Sequence, residues 1–134
     1  MACQGIRGAT TVTENTKRAI VAATREMLEK LVEANGFTPE DVACAFFSTT
    51  RDVNAEFPAV AARLLGWDRV ALLCGHEMDV PDATPGVVRV MLLVNTNKRQ
   101  AQIVNIYLRG AVNLRQRGME RKSGLSASRK KPAR

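Results

Sequence analysis

The segment that most restricts this chain is GVVRVMLLVNT at residues 86–96. Val88, Val90, Leu92 and Val94 alternate with Val87, Arg89, Met91 and Leu93, and a period of two predicts a strand. One face is aliphatic throughout. The other holds a guanidinium among apolar neighbours, where it cannot easily snorkel to water. Such a group has to meet a carboxylate of the protein or stand ready for an anionic ligand. An ion pair with Asp or Glu is the plainer of the two, and this strand alone leaves both open.

The rest of the pattern says what surrounds that strand. Residues 3–12 (CQGIRGATTV) predict a first strand. Residues 13–16 supply helix caps, after which Ile20, Thr24, Met27, Leu28, Leu31 and Val32 recur at three- and four-residue spacing. That spacing predicts an amphipathic helix closed by Gly36. Thr38-Pro39-Glu40-Asp41 reads as one capped turn. Residues 42–49 predict an apolar strand, 58–65 a short Ala-rich helix stopped by Gly66, and 70–74 a buried strand. Residues 99–106 fit a short helix or a loop, and 107–114 favour a last strand. The order β-α-β-α-β-β-β predicts an α+β domain, one mixed β-sheet with helices packed on one face. Its other face would be covered by neighbouring subunits. A domain of 134 residues also has difficulty enclosing a deep pocket alone, which points the same way.

The net charge of +7 suggests nucleic acid until it is divided along the chain. Residues 1–114 carry 12 basic and 12 acidic side chains, whereas 115–134 carry 8 basic ones against Glu120 alone. The body is neutral, so phosphate contacts would have to come from the tail. Residues 116–134 lack periodicity and have little to bury, and they predict a basic, disordered C-terminal tail after a domain of residues 1–115. Cys3, Cys44 and Cys74 are an odd number without C-x-x-C spacing, which favours a reducing, cytoplasmic setting over a disulfide framework. No signal pattern or membrane-length apolar run is present in the sequence.

Arg7, between Ile6 and Gly8, repeats the puzzle of Arg89 in a second strand. Arg63 and Arg115 could complete a cationic pocket, though each alone reads equally as a solvated charge. The run Cys74-Gly75-His76-Glu77-Met78-Asp79 follows a predicted strand, a favoured place for ligand contacts. Glu77 could accept a hydrogen bond from a hydroxyl, and Cys74 could pack or donate weakly. The spacing matches no standard zinc pattern, and one histidine cannot build the usual two-histidine metal site, so no metal is expected. Neither G-x-S-x-G, a phosphate loop nor a dinucleotide fingerprint occurs, so no cofactor is expected either. What survives is chemistry by positioning and cationic hydrogen bonding.

Several of these segments together resemble the trimeric α/β chorismate mutases: GIRGATTV at 5–12, FPA at 57–59 followed by Arg63, Cys74 with EMDV at 77–80, Arg89 in VVRVM, Tyr107-Leu108 and Leu114-Arg115. The resemblance spans residues 3–115. It implies a homotrimer forming a pseudo-α/β barrel, with active sites at subunit interfaces, and the cofactor-free rearrangement of chorismate, a dicarboxylate, to prephenate. It further implies that Arg89 meets the ether oxygen, Arg7 and Tyr107 a carboxylate, and Glu77 and Cys74 the ring hydroxyl. Phe57, Ala59, Leu72, Leu73 and Leu114 would line the pocket, and Arg63 and Arg115 would lie at its mouth. Val60 departs from the family pattern, which has a lysine there. Leu73 is more apolar than the residue the pattern carries. A non-catalytic anion-binding trimer and a nucleic-acid module using the basic tail are the alternatives. The neutral body and the lack of an aromatic-basic face weigh against the latter, and no nucleic-acid or membrane partner is expected.

Overall fold

The computed structural model describes residues 1–114. Its long helix forms where local capping permits. Thr16 is extended and its hydroxyl accepts from the Ala19 amide, starting α1 (Lys17–Asn35), and the Gly36 amide returns to the Val32 carbonyl to end it. The face carrying Ile20, Thr24, Met27, Leu28 and Leu31 is buried. Thr24 tolerates burial because its hydroxyl donates to the Ile20 carbonyl.

Five strands follow the expected alternation: β1 (Ala2–Thr11), β2 (Val42–Thr49), β3 (Ala71–His76), β4 (Val87–Thr96) and β5 (Ile106–Tyr107). A short helix, α2 (Ala59–Leu64), joins β2 to β3. The sheet order is β3-β2-β4-β1-β5. β4 runs antiparallel to both β1 and β2, whereas β3 and β5 add in parallel at the edges. The sheet is therefore mixed. One face packs Ile6, Ala45, Phe47, Val88, Val90, Leu92 and Val94 against the helices in a continuous core. Gly8 lets α1 lie close: a Cβ there would stand 2.8 Å from Leu31 and 3.2 Å from Met27. On the opposite face Phe46, Leu73, Met91 and Leu93 remain exposed.

Three expectations change. The strand expected to be buried at 70–74 lies at the edge of the sheet, and every residue of Ala71–His76 is at least partly exposed because only β2 pairs with it. The last strand does not run from 107 to 114. It is confined to Ile106–Tyr107, because Arg109 adopts a φ of 51° and turns the chain into a 3₁₀ turn at Arg109–Ala111. There the Gly110 amide donates to the Thr11 hydroxyl rather than to a sheet ladder. β3 runs to His76 instead of ending at 74, which puts Glu77 immediately past a strand end. The segment at 99–106 resolves into a 3₁₀ turn at Gln100–Gln102. After it, Asn35 donates to the Val104 carbonyl and accepts from the Val104 amide, stitching the approach to β5 onto the end of α1.

Gly86 sets where β4 begins. Its carbonyl accepts from the Val12 amide and its own amide donates to the Asp52 carboxylate. At φ 67° a Cβ would sit 2.8 Å from the Val12 oxygen, so both the backbone conformation and the space exclude a side chain. The Thr50 hydroxyl, with the Gly86 amide assisting, holds the Asp52 carboxyl below its usual range despite some desolvation. A lowered folded pKa means that this tie is intact above the ordinary carboxylate range and is lost as pH falls through the lowered value. Gly86→Ala should cost about 1–3 kcal/mol in a denaturant titration at neutral pH. An unchanged midpoint would show that this corner does not fix the strand.

Candidate active site

Strand register builds the site. Gly75 on β3 lies opposite Ser48 on β2, Ser48 opposite Arg89 on β4, Arg89 opposite Ala9 on β1, and Ala9 opposite Tyr107 on β5. Residues directly opposite project to the same side, so these form one row across the open face. Ser48 and Ala9 flank Arg89, and their small size leaves the guanidinium in a depression. The adjoining row is Leu73, Phe46, Met91 and Arg7. Arg7 thus stands diagonal to Arg89, on a strand whose Arg7 amide is anchored by the Asn105 side chain at 2.8 Å.

Glu77 enters from the end of β3. Its amide donates to the Thr49 carbonyl at 2.7 Å. Its carboxylate accepts the Ser48 hydroxyl on Oε2 and meets Arg89 Nη1 through Oε1 at 3.5 Å. The Arg89 and Glu77 side chains are 37% and 25% exposed, so the pair is only partly screened by water. This answers the question posed by the sequence in part: Arg89 does have a carboxylate beside it. The contact is single and long, however, whereas a satisfied guanidinium–carboxylate pair closes in a two-bond fork near 2.8 Å.

Arg89 also separates two hollows. One, of about 150 Å³, is walled by Arg7, Phe46, Ser48, Arg89 and Tyr107. The other, of about 380 Å³, is walled by Thr50, Glu77, Val87, Arg89, Leu114 and the loop after Glu77. The Tyr107 hydroxyl is buried with no hydrogen-bond partner among the described residues. A stranded hydroxyl of this kind costs about 1–3 kcal/mol, which a ligand oxygen could restore.

One chain therefore brings Arg7, Glu77, Arg89, Tyr107 and Leu114 together. The other expected residues lie elsewhere. Phe57 and Cys74 line a separate cleft of about 430 Å³ with Lys17 and His76. Ala59 is 4% exposed and belongs to the core, and Leu72 packs against that core. Leu73 is 66% exposed in the row beyond Phe46. Arg63 is exposed on α2. Arg115 and the tail lie outside the described residues. Ser48 was not singled out from the sequence, since one serine in FFSTT carries no signal by itself. Its meaning comes from standing between Gly75 and Arg89. Lys17, at the start of α1, likewise reads as a surface charge until the fold sets it in the same cleft as Phe57.

Comparison with known proteins places the chain as a whole. The family model described as chorismate mutase type I matches residues 3–117. A relative named chorismate mutase AroH from Thermus thermophilus is 49% identical over 113 residues, covering 84% of this chain and 93% of its own. Its namesake from Bacillus subtilis (strain 168) is 45% identical over 116 residues, covering 86% and 91%. A solved chorismate mutase from Clostridium thermocellum superposes with a TM-score of 0.79 at 46% identity, covering 80% of this chain and 96% of that one.

Tyr107→Phe tests the stranded hydroxyl. The variant should unfold at the same temperature as the parent or slightly higher, because it removes an unsatisfied group, while KM for substrate rises roughly tenfold. A clear loss of stability would show that the hydroxyl already has a partner.

Proposed function

We propose a mechanism from the premise that this chain belongs to the chorismate mutase type I family and is a chorismate mutase. The reaction converts chorismate to prephenate and serves aromatic amino acid biosynthesis. It is a [3,3] rearrangement in which one C–O bond breaks and one C–C bond forms within a single molecule. No proton, nucleophile or electron has to be supplied. The protein must hold the folded conformer and stabilise the charge that gathers on the ether oxygen as C–O cleavage runs ahead.

The observation that carries the reading is the placement of Arg89. It stands on the central strand with a carboxylate in a single long contact on one side, and Arg7 and a tyrosine hydroxyl without a partner among the described residues on the other. Arg89 donates to the ether oxygen and to a substrate carboxylate. Arg7 and Tyr107 take the side-chain carboxylate, and Glu77 accepts from the ring hydroxyl. Because Arg89 is held by a strand hydrogen-bonded on both sides, its donors need little reorganisation as charge develops.

The active unit is a homotrimer in which open sheet faces meet around an axis as a pseudo-α/β barrel. Support comes from the exposed Phe46, Leu73, Met91 and Leu93, and from the division of site residues between two clefts of one chain. The cleft of Phe57 and Cys74 completes the Arg89 cleft of a neighbouring subunit, and Arg63, Ala59, Leu72 and Leu73 belong to the same contributed wall. Arg63 and Arg115 draw in the dianion, and the basic residues of 116–134 add a long-range, salt-screened attraction to a domain spanning 1–115. A cytoplasmic location fits three unpaired thiols, and no described helix is long and apolar enough to cross a membrane.

Arg89→Ala should lower kcat on the order of 10²–10³-fold, and Arg89→Lys should recover little, since a point charge cannot aim at two oxygens. Turnover should show little solvent deuterium effect and should survive chelators. Normal kcat in either variant would remove Arg89 from the mechanism. The shared site has its own test. Arg89→Ala and Phe57→Asp chains, each nearly inactive, should regain activity when refolded together, because mixed trimers contain some intact sites. Mixtures no better than their parents would place the complete site within one chain.

A further inference from the structure

We propose that Ser48 is a positioning residue that keeps Arg89 available to substrate by holding the Glu77 carboxylate back from it; the proposal rests on the reading of Arg89 above. The topology creates the need. β2 lies between β3 and β4, so the carboxylate of Glu77, which follows β3, approaches Arg89 by passing over β2. The β2 residue beneath that path is Ser48, paired with Gly75 on one side and Arg89 on the other. Two positions earlier on the same face stands Phe46. A side chain of that size at 48 would block the crossing.

Left to themselves, an arginine and a carboxylate this close would close into a two-bond fork, and the cation would be consumed by its own protein. Here the Glu77 Oε2 is taken by the Ser48 hydroxyl, and the Glu77 amide is tied to the carbonyl of Thr49, the next residue on β2. Consecutive residues of one strand thus hold both ends of Glu77. Oε1 alone reaches Arg89, at 3.5 Å. The contact engages Nη1 without capturing the guanidinium in a fork, and Arg89 still lines the two hollows on either side of it.

Four variants test this: Ser48→Ala, Ser48→Thr, Glu77→Gln and the double variant S48A/E77Q, with kcat and KM measured alongside the unfolding midpoint. Ser48→Ala should lower kcat roughly tenfold, the scale of one hydrogen bond to a charged group, as Glu77 closes on Arg89. Ser48→Thr keeps the hydroxyl and should stay within about threefold of the parent. Gln cannot clamp a cation, so S48A/E77Q should be no slower than E77Q. Full kcat in S48A would overturn the proposal. So would an equal tenfold loss on top of E77Q, the result a merely structural serine would give. A crippled R89A with a normal S48A removes only the role of Ser48, whereas a normal R89A removes the reading beneath it as well.

Discussion

β4 is hydrogen-bonded along both edges, to β1 from Val87 to Thr96 and to β2 from Val88 to Val94. The rest of the molecule depends on the register of those two ladders. Because side chains alternate, a slip of one residue would turn Arg89 into the helix-covered core and expose Val88, Val90 and Leu92. Neither outcome is tolerable: an unpaired guanidinium would lose its hydration, and the core would lose its central aliphatic row. The hydrophobic demand on one face therefore fixes the chemistry on the other. Gly86 starts the strand at the required residue through its contacts with Val12 and Asp52, on a backbone that accepts no side chain.

The open face is built against its own stability. It leaves a long ion contact at Arg89, a stranded hydroxyl at Tyr107 and exposed Phe46, Met91 and Leu93. Each is a local cost that a ligand or a neighbouring subunit can recover. The proposed mechanism requires this arrangement, since donors already satisfied within the protein have nothing left for developing charge. The helix-covered side supplies the rigidity, with Gly8 allowing α1 to lie directly on β1.

A domain of this size has one core, and the helices occupy one face of its sheet. What remains is a shallow surface bearing Arg7, Glu77, Arg89 and Tyr107, and a separate cleft bearing Phe57 and Cys74. On the proposed reading the site is divided between these two clefts, which suits assembly, because each subunit then offers a different wall to each neighbour. Neutrality of residues 1–114 suits it too: the cations that matter are placed one at a time by strand register, without a broad basic surface that would attract nucleic acid.

From the sequence alone, the alternation at 86–96 determined a strand and the face of it on which Arg89 stands; its central place in the sheet came from the structure. The spacing from Ile20 to Leu31, the candidate caps at 13–16 and Gly36 determined α1, and the order of elements determined an α+β sheet with one covered face. These are short-range properties, carried by residues within a few positions of one another. Tyr107, Glu77 and Ser48 were a different matter. Only the tertiary structure decided that the chain leaves the sheet after Tyr107, because the turn at Arg109 is held by Thr11, 99 residues before Gly110. It also decided that Ser48 stands beside Arg89 and bonds Glu77, since strand order joins residues 48, 77 and 89 through hydrogen-bond ladders that no local pattern encodes. Period two assigns a side chain to a face; which side chains share that face depends on pairing between distant segments.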